Sequence, residues 1–430
     1  MMSNKWLEKG WFRWFLVVAA TISMALVSVY EYSWTLYTVP LGKVFNVAPG
    51  SAALGLTFTI YIIVQALSMF VAGRIADRYG PRLISMLGGI VTGIGYVSSA
   101  FANSLPLLYL TYGFGSIGVG IIYGTAISTA VRWFPDKRGL ATGIIEIGFG
   151  GGSFALSPLI QYIITSISYR TALVYLGITQ LVVITLLAYF FAYPPPQWLP
   201  KGFNAEEYER KRKMIKRSKS DFSVSQMVKT WQWWVIYIAF FLIAGSGLSI
   251  IGHLIPYGRS LGFSIAAVIA VFLFPFANGL GRFVMGTVSD YLGRPYTMTL
   301  SFGISGISML SVAFIPKIAP LYLALIFLTA FTWGPLFSLF PPLVGDYYGP
   351  KHSGANYGLT YTAKALAGIF AGYGASVLFT SYGIKETLVI TGLMAIISSI
   401  LALTLRPPKM PTAQIASTES QRDSIESKTK

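Results

Sequence analysis

Twelve long apolar runs constrain this chain more than any other feature. About 20 apolar residues are enough to cross the hydrocarbon core of a bilayer as an α-helix. A transmembrane β-barrel would instead show alternating segments of about ten residues. The sequence therefore predicts an all-α, multi-pass membrane protein. The predicted spans cover residues 14–38, 52–72, 83–102, 107–131, 139–163, 170–192, 233–256, 264–288, 297–315, 320–344, 354–379 and 385–405.

The composition excludes several other classes of protein. Charged residues form 11% of the 430 residues, against about a quarter in soluble domains. The chain has no cysteine and only two histidines, His253 and His352, so we expect neither a metal site nor a disulfide. Nucleotide-binding, zinc-hydrolase and nucleophile-elbow motifs are missing, so we expect no enzyme, no cofactor and no ATP-driven pump. The basic N-terminal flank runs into a full-length span, which indicates a retained first helix rather than a cleaved signal.

The net charge of +17 indicates orientation rather than nucleic-acid binding. Most of the 32 Lys and Arg residues fall on one side of the predicted membrane, and that side is the cytoplasm by the positive-inside rule. We therefore expect a plasma-membrane protein with both termini in the cytoplasm and basic segments facing anionic lipid. The loops predicted on the outer side hold only Lys43, Arg170, Arg259, Lys317 and Lys385.

The polar segments divide the chain into four parts. We expect a first six-helix bundle over 1–193 and a second over 232–408. Residues 194–231 form a basic cytoplasmic linker, either a solvated tether or an amphipathic helix on the membrane surface. Residues 409–430 are expected to be a disordered cytoplasmic tail.

The two halves of the chain repeat one another in parallel orientation. "GRIADRYGPR" follows the second span, and "GTVSDYLGRP" follows the eighth. The matching residues, all 213 positions apart, are Gly73 with Gly286, Asp77 with Asp290, and Gly80 with Gly293. In transporters, such repeats enclose a substrate site near the bilayer midplane, and one half rocks against the other.

This G-x-x-x-D-R-x-G-x-R loop, with its weaker copy half a chain later, resembles the signature loop of the major facilitator superfamily. The aspartates can accept hydrogen bonds at a neighbouring helix N-terminus and pair with arginine. We expect this network to latch the inward end of the two bundles and to break during switching. The predicted gating residues are Gly73, Asp77, Arg78, Gly80, Arg82, Asp290 and Arg294.

Four ionisable side chains fall well inside the spans: Glu31, Glu146, Arg282 and Lys364. Each costs about 2.5–3.5 kcal/mol at the bilayer centre, so such residues face the bundle interior and are candidate functional groups. Both cations lie in the second half, whose spans contain no acid well inside the membrane, which predicts a positive cavity that binds an anion. Two alternatives are an ion pair of Arg282 with one of the glutamates, and a Lys364 that is neutral when the site is empty.

Polar and aromatic neighbours complete the candidate site. Asn278 precedes Arg282 by one turn, and Tyr361 precedes Lys364 on the same helical face. Aromatic rings can close a small cavity, donate hydroxyl hydrogen bonds and stack on cations, although any single aromatic residue is more often core packing. The remaining candidates are Tyr30, Trp34 and Tyr37 on one face of the first span, Tyr123 in the fourth and Trp333 in the tenth.

Arg282 in "NGLGR", Lys364, Trp333, "YEYSWTLY" and "WFPDKRGLATG" together resemble a narrower group of the superfamily. That group contains the bacterial oxalate:formate antiporter and the monocarboxylate transporters. The resemblance implies that Arg282 and Lys364 hold the carboxylates, and that Tyr30, Tyr37, Tyr123 and Trp333 line the pocket. Phe337 stands where the antiporter is expected to have tyrosine, and the two glutamates add acid. These departures favour a larger or monoanionic acid, or proton coupling.

The sequence therefore predicts a monomeric secondary transporter of small organic anions that works by alternating access. Uncompensated cations would resist closure of an empty site, which favours exchange of anions. The alternative is a proton-coupled monocarboxylate symporter that uses Glu31, with Glu146 as a weaker candidate, because burial disfavours an ionised carboxylate. A permanent partner for one of the cations is an equally weighted role for Glu31. A sensor on the same scaffold is a remote alternative.

Overall fold

The computed structural model describes residues 10–47, 51–195, 198–200, 203, 221–251, 258, 262–314 and 318–408. His253, most of the predicted linker and the predicted tail lie outside these residues. Eleven of the described helices are long and apolar enough to cross a membrane. The remaining predicted span, the eighth, is a 29-residue helix that carries Arg282. The prediction of an all-α membrane protein is confirmed.

The first bundle contains six spans, of which the first and last change geometry along their length. The first span breaks at Ser33, and the sixth passes through a π-helical turn at Gln180–Ile184. The spans are α1 (Phe12–Tyr32, continued as Trp34–Phe45), α2 (Ala52–Tyr79), α3 (Pro81–Ala100), α4 (Leu105–Trp133), α5 (Arg138–Ser166) and α6 (Tyr169–Thr179, continued as Thr185–Ala188).

The second bundle repeats this order, and two of its spans are interrupted next to candidate site residues. One interruption follows Trp333, and the other, at Thr362, lies two residues before Lys364. The spans are α7 (Trp231–Ile251), α8 (Ser264–Leu292), α9 (Arg294–Ala313), α10 (Ala319–Trp333, continued as Leu336–Tyr348), α11 (Ser353–Tyr361, Ala363–Ile369, a π-helical turn Phe370–Gly374, and Ala375–Tyr382) and α12 (Ile384–Thr404).

The repeated loops have the same backbone geometry in both halves. Gly80 ends α2 with φ +86°, and Gly293 ends α8 with φ +88°, values that glycine adopts without strain. A proline follows each glycine within two residues, in the first turn of the next helix, where its missing N–H costs nothing. The internal repeat seen in the sequence is therefore also a repeat of turn geometry.

The two bundles meet along two helix pairs, α2 with α11 and α5 with α8. Glycines allow the backbones to touch: a Cβ on Gly73 would lie 2.3 Å from the carbonyl oxygen of Gly354, and one on Gly139 would lie 2.0 Å from that of Gly286. These contacts fall at the end of the molecule where α2 and α8 terminate, which we call the latch end. Close backbone packing holds the bundles together there.

Candidate functional site

Arg282 on α8 is fully buried between the bundles and binds residues from both of them. Its Nη1 lies 2.6 Å from Oε2 of Glu146 on α5, and its Nη2 donates to the hydroxyl of Tyr32 on α1 at 2.9 Å. Its Nε donates to Oδ1 of Asn278, one turn earlier, at 2.8 Å. The guanidinium is therefore held in one orientation by three partners.

Lys364 on α11 is also fully buried and pairs with the other intramembrane acid. Its Nζ lies 2.7 Å from Oε2 of Glu31 on α1 and donates to the hydroxyl of Tyr361 at 3.1 Å. The same carboxylate oxygen of Glu31 accepts a hydrogen bond from Tyr61 on α2 at 3.2 Å. Gln65 Oε1 lies 3.5 Å from the ammonium, at the limit of hydrogen bonding.

The expectation of two uncompensated cations is wrong. Arg282 and Lys364 are each paired with one glutamate of the first bundle, so the formal charges of the four side chains sum to zero. The reason is that a buried charge without a partner is costly, and Glu146 and Glu31 of the first bundle supply the opposite charges across the interface. The alternative of an ion pair for Arg282 is the arrangement present, with Glu146 as its partner.

Two phenylalanine rings lie against both cations. The centroid of Phe337 on α10 lies 4.3 Å from Cζ of Arg282 and 5.2 Å from Nζ of Lys364. The centroid of Phe149 on α5 lies 5.8 Å from each of these atoms. The two ion pairs therefore share one aromatic enclosure and form a single site, which we call the central site.

The aromatic face of the first span packs within the first bundle. The ring of Tyr30 lies 4.8 Å from that of Tyr112, and the ring of Trp34 lies 4.9 Å from the same tyrosine. Tyr37 packs edge-on against Tyr96 at 6.1 Å. None of the contacts found in the described part of the chain joins these three residues to the cations, and their role in substrate binding stays a prediction.

The other two predicted aromatic residues lie closer to the cations. Tyr123 packs on Phe149 at 5.0 Å and on Tyr361 at 4.9 Å, which places it beside the central site. Trp333 donates its indole N–H to the carbonyl of Ile243 at 2.7 Å and packs on Phe337 at 5.8 Å. Trp333 therefore supports a ring that covers both cations.

Asp77 forms a first latch between the bundles. Its carboxylate accepts hydrogen bonds from the backbone N–H groups of Gly354 at 3.2 Å and Ala355 at 2.8 Å, in the first turn of α11. It also pairs with Arg132 of α4, whose guanidinium donates to the carbonyl of Lys351. A negative charge at a helix N-terminus is favourable, so this arrangement stabilises contact between the bundles.

Asp290 forms the equivalent second latch. It accepts hydrogen bonds from the N–H groups of Gly139 and Leu140, both at 2.9 Å, in the first turn of α5. Arg294 pairs with Asp290 at 2.7 Å and with Asp346 at 3.0 Å. Asp346 also pairs with Arg138 of the first bundle.

The remaining predicted gating residues lie at the junction of α2 and α3. Gly80 supplies the positive φ described above. Arg78 is exposed, and its guanidinium lies 5.1 Å from the ring of Tyr79. Arg82 lies 5.2 Å from the ring of Tyr189 in the same bundle. Their participation in gating stays a prediction.

Sequence reasoning missed several residues of both sites. Arg132, Arg138 and Asp346 lie near helix ends, so a search for charges deep inside the spans passes over them. The other missed residues are neutral. Tyr32 follows Glu31 directly and Phe149 lies three residues after Glu146, so spacing could have indicated these two. Tyr61 and Gln65 lie on α2, which carries none of the four charges, and no local signal marks them. Among the described residues, no group of three or more acids and histidines could hold a metal ion.

Comparisons with known proteins agree with this architecture. The family model of the Major Facilitator Superfamily matches residues 14–372 and 258–428. The oxalate:formate antiporter of Oxalobacter formigenes is 35% identical over 400 residues, which cover 92% of each chain. Monocarboxylate transporter 11 of Mus musculus is 36% identical over 121 residues, 28% of this chain and 27% of the relative. The proton:xylose symporter XylE superposes with a TM-score of 0.71 at 17% identity, covering 92% of this chain and 96% of that structure.

Proposed function

Since the chain belongs to the major facilitator superfamily of membrane transporters, we propose that it carries small organic anions with one or two carboxylate groups by alternating access. The observation that carries this proposal is the central site. Two fully buried cations from one bundle face the other bundle, each on a separate helix, within one aromatic enclosure. Carboxylates form strong charge-assisted hydrogen bonds with guanidinium and ammonium groups.

The internal glutamates indicate how such an anion would bind. A substrate carboxylate has the same chemistry as the side chains of Glu146 and Glu31, so it can replace either one on its cation. Within the described residues, the buried amide nitrogens of Gln65 and Asn278 have no hydrogen-bond partner. They are donors beside the two cations and could bind the substrate oxygens that the cations leave free.

Two modes of coupling follow from different observations. The antiporter named above, with its 35% identity, favours exchange of one anion for another. The neutral central site favours proton symport, because four paired charges allow the empty site to close without a substrate. In that mode, a glutamate displaced from its cation takes up a proton and so avoids a buried, unpaired charge. Glu31 and Glu146 are then the proton carriers.

Transport by purified protein in liposomes tests this function. Uptake of labelled oxalate, malonate, formate and lactate would be measured for the parent and for Arg282→Gln and Lys364→Gln. We expect each variant to lose at least about tenfold in uptake, since a charged hydrogen-bond partner contributes about 1.5–3 kcal/mol. Arg406→Gln and Lys385→Gln remove the same charges from exposed positions and should change nothing. Uptake by both site variants at the parental rate for every accepted anion would refute the proposal.

A further inference from the structure

Residues 221–230, which we call the lead-in segment, lead into the second bundle and contact the loop between α10 and α11, residues 349–352. Phe222 is buried, its N–H donates to the carbonyl of Tyr348 at 2.8 Å, and its own carbonyl accepts from the side chain of Asn356 at 2.9 Å. Oδ1 of Asp221 accepts a hydrogen bond from the N–H of Lys351 at 3.0 Å. Two consecutive residues therefore make three hydrogen bonds, one to the loop and one to each helix end that flanks it.

Gly349 in this loop is shaped for that contact. Its φ is +82°, a backbone conformation that is energetically unfavourable for a residue with a side chain. A Cβ on Gly349 would lie 2.2 Å from Oδ1 of Asp221 and 2.9 Å from its Cα. The loop thus both turns sharply and packs directly on the lead-in segment.

This loop positions the N–H groups of the first latch. It runs straight into the N–H groups of Gly354 and Ala355 that Asp77 binds. Its Lys351 contributes the N–H to Asp221 and the carbonyl to Arg132 of the opposite bundle. The backbone of one residue therefore connects the lead-in segment with the contact between the bundles.

The first half of the chain has a comparable arrangement, in which a side-chain ion pair takes the place of the hydrogen bond to the loop backbone. Nη1 of Arg13, at the start of α1, lies 3.0 Å from Oδ1 of Asp136 in the loop between α4 and α5. Phe12 packs edge-on against Trp133 at 5.8 Å, as Phe222 packs against Tyr348 at 5.5 Å. That loop leads into Gly139, whose N–H binds Asp290 in the second latch.

We propose that Asp221 and Arg13 are positioning residues for the two latches. Each fixes the loop in front of a helix whose N-terminal N–H groups bind the aspartate of the opposite bundle. Loss of either contact frees the loop, weakens the hydrogen bonds to Asp77 or Asp290, and shifts the carrier toward states that are open at the latch end. The start of each bundle, α1 in the first and the lead-in segment in the second, thereby controls the closure of that end.

The chain contains no cysteine, so a single introduced thiol can report on opening. Ser338 on α10 is fully buried, and its carbonyl accepts a hydrogen bond from Thr142 of the opposite bundle at 3.2 Å. In a Ser338→Cys background, the rate of modification by a membrane-impermeant thiol reagent would be measured in inside-out vesicles. We expect Asp221→Ala and Arg13→Ala to raise this rate about fivefold, the effect of one hydrogen bond or ion pair.

Matched variants separate positioning from general destabilisation. Asp221→Asn keeps an acceptor oxygen and should react within twofold of the parent rate, as should Lys229→Ala at an exposed position of the same segment. If Asp221 had a purely structural role, Asp221→Ala would lower the melting temperature. The rate of thiol modification at temperatures well below the melting temperature would then stay unchanged. A parental rate for Asp221→Ala, or equal acceleration by Asp221→Asn, would overturn the proposal.

Discussion

Oε2 of Glu146 lies 2.6 Å from Nη1 of Arg282, and the two residues belong to different bundles. Both are fully buried. Glu146→Gln should therefore destabilise the substrate-free protein by about 3–5 kcal/mol, because it leaves the guanidinium without an opposite charge. Oxalate should then raise the melting temperature of the variant more than that of the parent, since the anion restores the lost charge.

Thermal unfolding in detergent, with and without oxalate, measures both effects. Glu386→Gln removes an acid from an exposed position of α12 and should alter neither. An equal oxalate shift in the Glu146→Gln variant and the parent would show that the anion does not take the place of Glu146.

Replacement of Glu31 should separate proton coupling from exchange. If Glu31 takes up a proton when a substrate carboxylate displaces it from Lys364, uptake into liposomes by the parent should rise as the external pH falls and should acidify the lumen. Glu31→Gln should retain counterflow of a labelled anion but lose accumulation driven by a pH gradient, because glutamine does not titrate in this range. A lumenal pH dye and labelled formate measure the two activities. Accumulation at the parental level in this variant would exclude Glu31 as the proton carrier.

Phe337 should influence the choice between monoanions and dianions. Its ring faces both cations, and a tyrosine there would bring a hydroxyl group into the central site. Phe337→Tyr should improve competition by oxalate against labelled formate by about two- to tenfold, the effect of one additional hydrogen bond. Phe241→Tyr, on a part of α7 that faces Phe370, is the matched control and should leave the competition unchanged. Equal competition in all three proteins would show that the hydroxyl does not reach the substrate.

Much of the fold could be predicted because membrane spans depend on local properties. An apolar run of sufficient length forms a helix in a bilayer, where each backbone polar group must bond within its own segment. The break of α1 at Ser33 was not predicted, because no proline or glycine marks it. Tyr30, Trp34 and Tyr37 nevertheless share one buried face, as their spacing predicts. The spacing does not indicate what that face contacts, and it packs on Tyr96 and Tyr112 rather than on the cations.

The central site could be predicted in part for a similar reason. A charge inside a span is conspicuous, and Arg282, Lys364, Glu31 and Glu146 were all identified from their positions. The pairing between them depends on how two bundles approach each other, which no local pattern encodes. A net positive site is predicted if only the charges of the second half are counted. The protein instead pairs the two cations with glutamates of the first half, across the interface.

Gly73 should be intolerant of even a methyl group. A Cβ there would lie 2.3 Å from the carbonyl oxygen and 2.4 Å from the carbonyl carbon of Gly354, so Gly73→Ala must separate α2 from α11 at the latch end. We expect the modification rate of Ser338→Cys to rise about tenfold and transport to fall, because the carrier can no longer close that end. Gly55→Ala is the matched control in the same helix, since a Cβ at Gly55 meets no atom within 4 Å in the described part of the chain. Alanine favours a helix over glycine by up to about 1 kcal/mol, so this control should be neutral or slightly stabilising. Equal rates for the two alanine variants would show that contact between Gly73 and Gly354 does not limit opening.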